Sequence, residues 1–270
     1  MRSGRIRIKR YKTGTRRGPL LVLLFLLFAI GCCYLLFSQG VISLPSFSGI
    51  SLSKADLQQE KRTLTLPGAT HFALQLGVFS EKAGADALAK SYQGRGAGGY
   101  VYHRDGYRVL AAAYDTRGDA QAVQNRLADT HGVDAYLYPL TRSEVTLRLT
   151  GQKAQLSALS DAFDLCIQQT SALAQLSQSL DDGSMTEGQV RQALSSQLDT
   201  VNILAGRLRA LFSAEKHPAV SSLLQLMDGL SADLAAAMQA ENATRLGSSI
   251  KHCHLQLICQ LEAYVAGLVP

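Results

Sequence analysis

The sequence predicts an α+β protein in three parts: an N-terminal transmembrane helix, a βαββαβ module with one open sheet face, and an all-α helical bundle. Three observations carry that prediction. Residues 19–37 hold no charged side chain and are rich in Leu and Phe. Two similar alternating runs, residues 72–79 and 107–114, are each followed by a polar helix start and an Ala-rich helix. From Gln152 to Leu268, apolar residues recur at helical spacing in long stretches broken by short turns.

Residues 1–18 form a basic tail with eight Lys or Arg and no acid. The apolar run that follows makes a helix of roughly 28 Å at ~1.5 Å per residue, close to a bilayer core. The positive-inside rule keeps the tail in the cytoplasm and sends the rest of the chain across the plasma (inner) membrane. A cleaved signal peptide fits less well, because no small-x-small site follows and the run exceeds a typical h-region. Ala29-Ile30-Gly31-Cys32 loosely resembles a lipobox, but the apolar run continues through Phe37 where a polar start is required.

The formal charge of +6 divides into +8 from the tail and −2 from the remainder. Residues 66–141 balance seven basic against seven acidic side chains, and residues 142–270 carry nine against twelve. That excludes the positive footprint of nucleic-acid binding. Cys166, Cys253 and Cys259 lie beyond the apolar run in helical patterns. Buried free thiols are the favoured reading, and one disulfide is the alternative.

Residues 38–65, rich in Ser and Gly, read as a linker, with a short helix over residues 53–61. The module occupies residues 66–141. In its first strand, Phe72, Leu74 and Leu76 share one face, and Gln75 and Gly77 the other. Ser80 suits an N-cap for a helix carrying Ala85, Leu88 and Tyr92 on one side. An Asp105-Gly106 turn joins residues 100–103 and 107–114 as a hairpin. Thr116 with Asp119 begins the second helix, Gly132 ends it, and residues 133–140 form the last strand. Two helices covering one face of such a ferredoxin- or RNP-like sheet give a single core.

The other face should then be open, carrying Gln75, Tyr100, Tyr102, Arg108, Tyr136 and Tyr138. Tyrosines with one amide and one guanidinium suit a sugar: rings cover its C–H faces, and Gln and Arg bond its hydroxyls and carbonyls. Tyrosines are also ordinary strand residues. Residues 142–270 read as a brief strand at Val145, Leu147 and Leu149, followed by helices over 152–180, 186–212, from Pro218, and over 243–268. Their short connections imply a bundle.

No catalytic or metal site emerges, and no cofactor is expected. Gly94, Gly96 and Gly99 satisfy GxGxxG, but with a helix before and a strand after, the reverse of a dinucleotide site. His252, Cys253 and His254 point about 100° apart on a helix and cannot converge on one ion. The six histidines are scattered, and neither a Gly-x-Ser-x-Gly elbow nor a His-Glu-x-x-His helix occurs.

Gln75-x-Gly77-x-Phe79, Tyr107-Arg108-Val109 and the second aromatic Tyr114 resemble the SPOR (sporulation-related) domain, over about residues 66–141. The resemblance implies an extracytoplasmic βαββαβ module tethered by one transmembrane helix. It implies binding of peptidoglycan glycan strands stripped of stem peptides, and gathering at the septum in cell division or sporulation. It places Gln75 and Arg108 on the glycan-facing sheet. Three positions depart from the family: Val78 where Ser is common, Gly106 where some members have Trp, and Ala112 where Gly is frequent. These bear on glycan affinity rather than on fold. The helical region has no such resemblance; it reads as a surface for a protein partner or for self-association. In the alternative reading the module has lost its glycan and the protein is a scaffold acting through the bundle.

Overall fold

The computed structural model describes residues 59–213 and 217–268. The basic tail, the expected transmembrane helix with Cys32 and Cys33, and linker residues 38–58 lie outside the described residues. Among the described residues no helix is long and apolar enough to cross a membrane.

The chain enters as strand β1 (Gln59–Leu66), then β2 (Ala69–Phe79), helix α1 (Lys82–Gln93), the hairpin β3 (Tyr100–His103) and β4 (Tyr107–Tyr114), helix α2 (Arg117–His131) and β5 (Tyr136–Arg142). Strand β6 (Val145–Gln152) leads into α3 (Lys153–Asp181), α4 (Glu187–Leu211), α5 (Pro218–Met238) and α6 (Ala243–Ala266). Strands β2 to β5 make one antiparallel sheet in the order β3-β4-β2-β5. This is the expected βαββαβ order.

Residues 59–65, read as linker and partly as helix, are strand instead. β1 pairs along its whole length with β6 as a separate two-stranded ribbon. Leu64 and Leu66 alternate with Thr63 and Thr65, and with Val145, Leu147 and Leu149 they pack onto the bundle core. Charged Glu60, Lys61 and Arg62 hide this strand locally, and contacts distant in sequence, with β6 and the bundle core, stabilise it.

Alternation sorts the residues on the helix side of the main sheet. Leu74, Ala111, Ala135 and Leu137 lie under Val123 and Leu127 of α2, and Val101 and Val109 under Ala85, Leu88 and Ala89 of α1. Thr116 accepts from the Asp119 backbone N–H as N-cap of α2, and Gly132 closes the helix at φ 60°. At α1 the cap is Glu81, without a side-chain hydrogen bond, rather than Ser80.

Two β-bulges interrupt the β2–β4 register, between Ala73 and Gln75 and between Gln75 and Gly77. The second shifts the alternation by one. A Cβ on Gly77 would point at Phe79 and Leu88, on the α1 side, 3.1 and 3.2 Å away. Gly77 therefore does not share the face of Gln75; Val78 stands opposite Arg108 instead.

Helices α3 to α6 join by short turns and pack in a ring, each on two neighbours, as in an up-and-down bundle. Their core runs from Ala158, Phe163 and Cys166 through Leu194, Leu208, Leu223 and Leu230 to Leu246 and Ile250. Cys166, Cys253 and Cys259 are buried free thiols. Burial pushes the Cys166 thiol up to about 12, so it stays protonated and inert.

The expected open sheet face is not open. Helix α6 lies across it, with Leu255, Ile258 and Cys259 packed on Ala73, Leu110, Ala113 and Leu140. α6 carries two apolar stripes. Leu246, Ile250, Cys253, Leu257, Leu261 and Val265 face the bundle, and the other stripe needs a second surface. Leu110, two residues after Arg108 on β4, shares its face, and a fully buried Leu there needs a cover. The described residues of module and bundle fall within one compact unit.

Candidate functional site

The sequence-predicted residues separate into two groups. Tyr100 and Tyr102 lie under α6. The Tyr100 ring meets His252 edge-on, with centroids 5.4 Å apart, and burial raises its hydroxyl pKa. His252 Nδ1 lies 2.9 Å from the Gly98 carbonyl, and Lys251 and Ser248 donate to Gly96 and Ala97. At the far end of α6, Glu262 accepts from Arg104 at 2.9 Å and from the Tyr102 hydroxyl at 3.4 Å. Both tyrosines are thus engaged by the protein itself.

Gln75, Arg108, Tyr136 and Tyr138 gather at the β2–β5 corner. Arg108 Nη1 donates to Gln75 Oε1 at 2.8 Å. Its guanidinium stands 4.6 Å over the Tyr138 ring, a cation–π contact that holds the fork flat. Tyr138 in turn touches Tyr102, with centroids 6.2 Å apart. Gln75 is only 9% exposed, so the bond to Arg108 is screened from water. Tyr136, paired with Gln75 across β5, is 66% exposed, and Val78 is 47% exposed.

Arg108 Nε is buried with no hydrogen-bond partner. A buried guanidinium N–H without a protein acceptor is costly, and a water or a small shift of the side chain satisfies it. The corner therefore offers a fixed donor fork, an amide and two exposed apolar or aromatic surfaces. Such groups suit a neutral polar ring.

Of the three departures from the family pattern, Gly106 has a local cause. Asp105 adopts φ 50° and Gly106 φ 108°, positive values within the three-residue loop, Arg104 to Gly106, that closes the hairpin. Trp would be strained there. Val78 puts an apolar branch where a hydroxyl is common, beside Arg108. Sequence reasoning missed Val78 on this face because the bulge is invisible in alternation. It also missed Glu262, for which an acidic residue near the end of a helix gives no signal.

The three adjacent residues His252, Cys253 and His254 diverge as helix geometry requires. His252 faces Tyr100, Cys253 enters the bundle core, and His254 meets His71. Among the described residues no group of three or more His, Cys, Asp or Glu is placed to hold a metal ion.

A four-stranded antiparallel sheet, two helices behind it and a polar–aromatic cluster in front define a small binding module. Residues 68–139 match the SPOR domain family, so this segment of the chain is a SPOR domain. SPOR domains are peptidoglycan-binding modules of cell division proteins, and they bind rather than catalyse. No curated protein and no solved structure matches the chain.

Proposed function

We propose that this protein binds the glycan strands of peptidoglycan through the β2–β5 corner of its SPOR domain and so concentrates at the septum, in division or sporulation. Residues 19–37 tether it to the plasma membrane, with the tail cytoplasmic and the rest extracytoplasmic. The observation that supports this reading is the preorganised Gln75–Arg108 pair, held by Tyr138, on the sheet face that the family resemblance assigns to glycan.

The test is co-sedimentation of the detergent-solubilised full chain with sacculi, before and after amidase removal of stem peptides. We expect binding that rises on denuded glycan and falls at least tenfold in Arg108→Ala and several-fold in Gln75→Ala. A folded chain that ignores both preparations sinks the proposal.

A second reading is favoured by one observation: α6 already occupies Tyr100, Tyr102 and the middle of the sheet. In it the SPOR sheet serves as a protein-packing surface, and the protein is an envelope scaffold acting through α3 to α5. The same sedimentation experiment separates the two.

A further inference from the structure

The geometry points to a glycan footprint limited by α6 to a single disaccharide repeat, an inference that rests on the glycan-binding reading above. A SPOR sheet with a bare face would offer four strands to a polymer. Here β3 is closed off, because Tyr100 is packed against His252 and Tyr102 is held by Glu262. The rows through Ala73, Leu110 and Leu140 are sealed under Leu255, Ile258 and Cys259, so β2 and β5 are also closed towards His71.

What stays accessible runs from exposed Val78 on β2 to exposed Tyr136 on β5, with half-buried Arg108 and Tyr138 at its margin, Tyr138 resting against the part of the sheet that α6 covers. At a spacing of ~4.8 Å, this is roughly 10 Å across. That is room for two sugar rings, one over Tyr136 and one beside Arg108.

α6 is a fixed wall and not a removable lid. Its opposite face is the core of the bundle. At Gly98 the helix backbone comes so close that an added Cβ would lie 2.9 Å from the Lys251 carbonyl carbon and 3.0 Å from the His252 nitrogen. A longer glycan must leave the corner over the β5 edge or past the Asp105–Gly106 hairpin, without further contact with the sheet. Extra repeats then add nothing but statistical weight.

Calorimetric titration of the full chain with peptide-free oligosaccharides of two, four and six sugars tests this. The expected result is one Kd, constant within about threefold across the three lengths. Arg108→Ala and Tyr136→Ala should weaken every length at least tenfold, and Glu262→Gln should leave all three unchanged. An affinity that climbs tenfold with each added repeat overturns the footprint while leaving glycan binding intact. A loss of binding in Glu262→Gln likewise places ligand over β3 and overturns it. No binding at any length removes the glycan reading, and the footprint with it.

Discussion

His254 shows how a single side chain reports on the packing of two parts of the chain. It sits on α6 with its Nε2 unpartnered, and its ring centroid is 6.3 Å from that of His71. Burial, and then the neighbouring His71, lower its pKa to about 4, with Asp115 opposing. His71 is also lowered, chiefly by burial, against the raising effect of its bond to Asp115. Both groups therefore bind protons more readily in the unfolded chain. The folded state is at full advantage above the ordinary histidine value of 6.5 and loses it as pH falls towards 4. For His254 the loss is about 3 kcal/mol on the scale of 1.36 kcal/mol per pH unit. Urea midpoints measured from pH 7 to pH 4 should fall accordingly, and His254→Gln should flatten most of that slope. An unchanged slope in the variant would mean that His254 is hydrated rather than buried.

At the level of elements, α6 decides what the sheet can do, and Gly98 is where it comes closest. Gly98→Ala places a methyl against backbone atoms of α6 and against the Ala111 carbonyl oxygen, all at 3.0 Å or less. None of these can swing aside as a flexible side chain would. We expect a loss of roughly 1–3 kcal/mol, typical of overpacking, seen as a lowered thermal midpoint. A neutral substitution would show that α6 rides above the sheet rather than on it. The same elements explain what was legible in the sequence. Strands β2 to β5, both module helices and the four bundle helices follow from alternation, the Asp105–Gly106 turn, the Thr116 cap and helical periodicity, all of which are local signals. β1 was not legible, because Glu60, Lys61 and Arg62 mask its pattern and its partner β6 lies beyond the whole module. The bulge that turns Val78 outward leaves no residue signature. The cover over the sheet was half legible: Leu110 on the face assigned to ligand, and Leu255, Ile258 and Cys259 on a second stripe of α6, each needed a partner. Local periodicity says that such stripes are buried without saying against what.

For the whole molecule, the consequence of a shared helix is cooperativity. α6 contributes Leu246, Ile250 and Leu257 to the bundle and Leu255, Ile258 and Cys259 to the sheet, so neither core is complete without it. The ribbon of β1 and β6 joins the two from the other end, where Arg142 Nε donates to the Pro67 carbonyl at 3.2 Å. A chain of independent domains would unfold in two steps, whereas one sharing a central helix should unfold in one. The composition makes this measurable. There is no tryptophan, and Tyr92, Tyr100, Tyr102, Tyr107, Tyr114, Tyr136 and Tyr138 all lie in the module, against Tyr264 in the bundle. Tyrosine fluorescence therefore follows the sheet, and helical circular dichroism follows mainly α3 to α6. In a guanidinium titration of residues 59–270, we expect the two signals to coincide. Deleting residues 243–270 should destabilise the sheet as well as the bundle, because Leu110 and Leu140 lose their cover and face water. Two separated transitions in the intact chain would mean that α6 docks on an already stable SPOR domain. Its wall would then be weak enough to move, and the full sheet would be available to glycan.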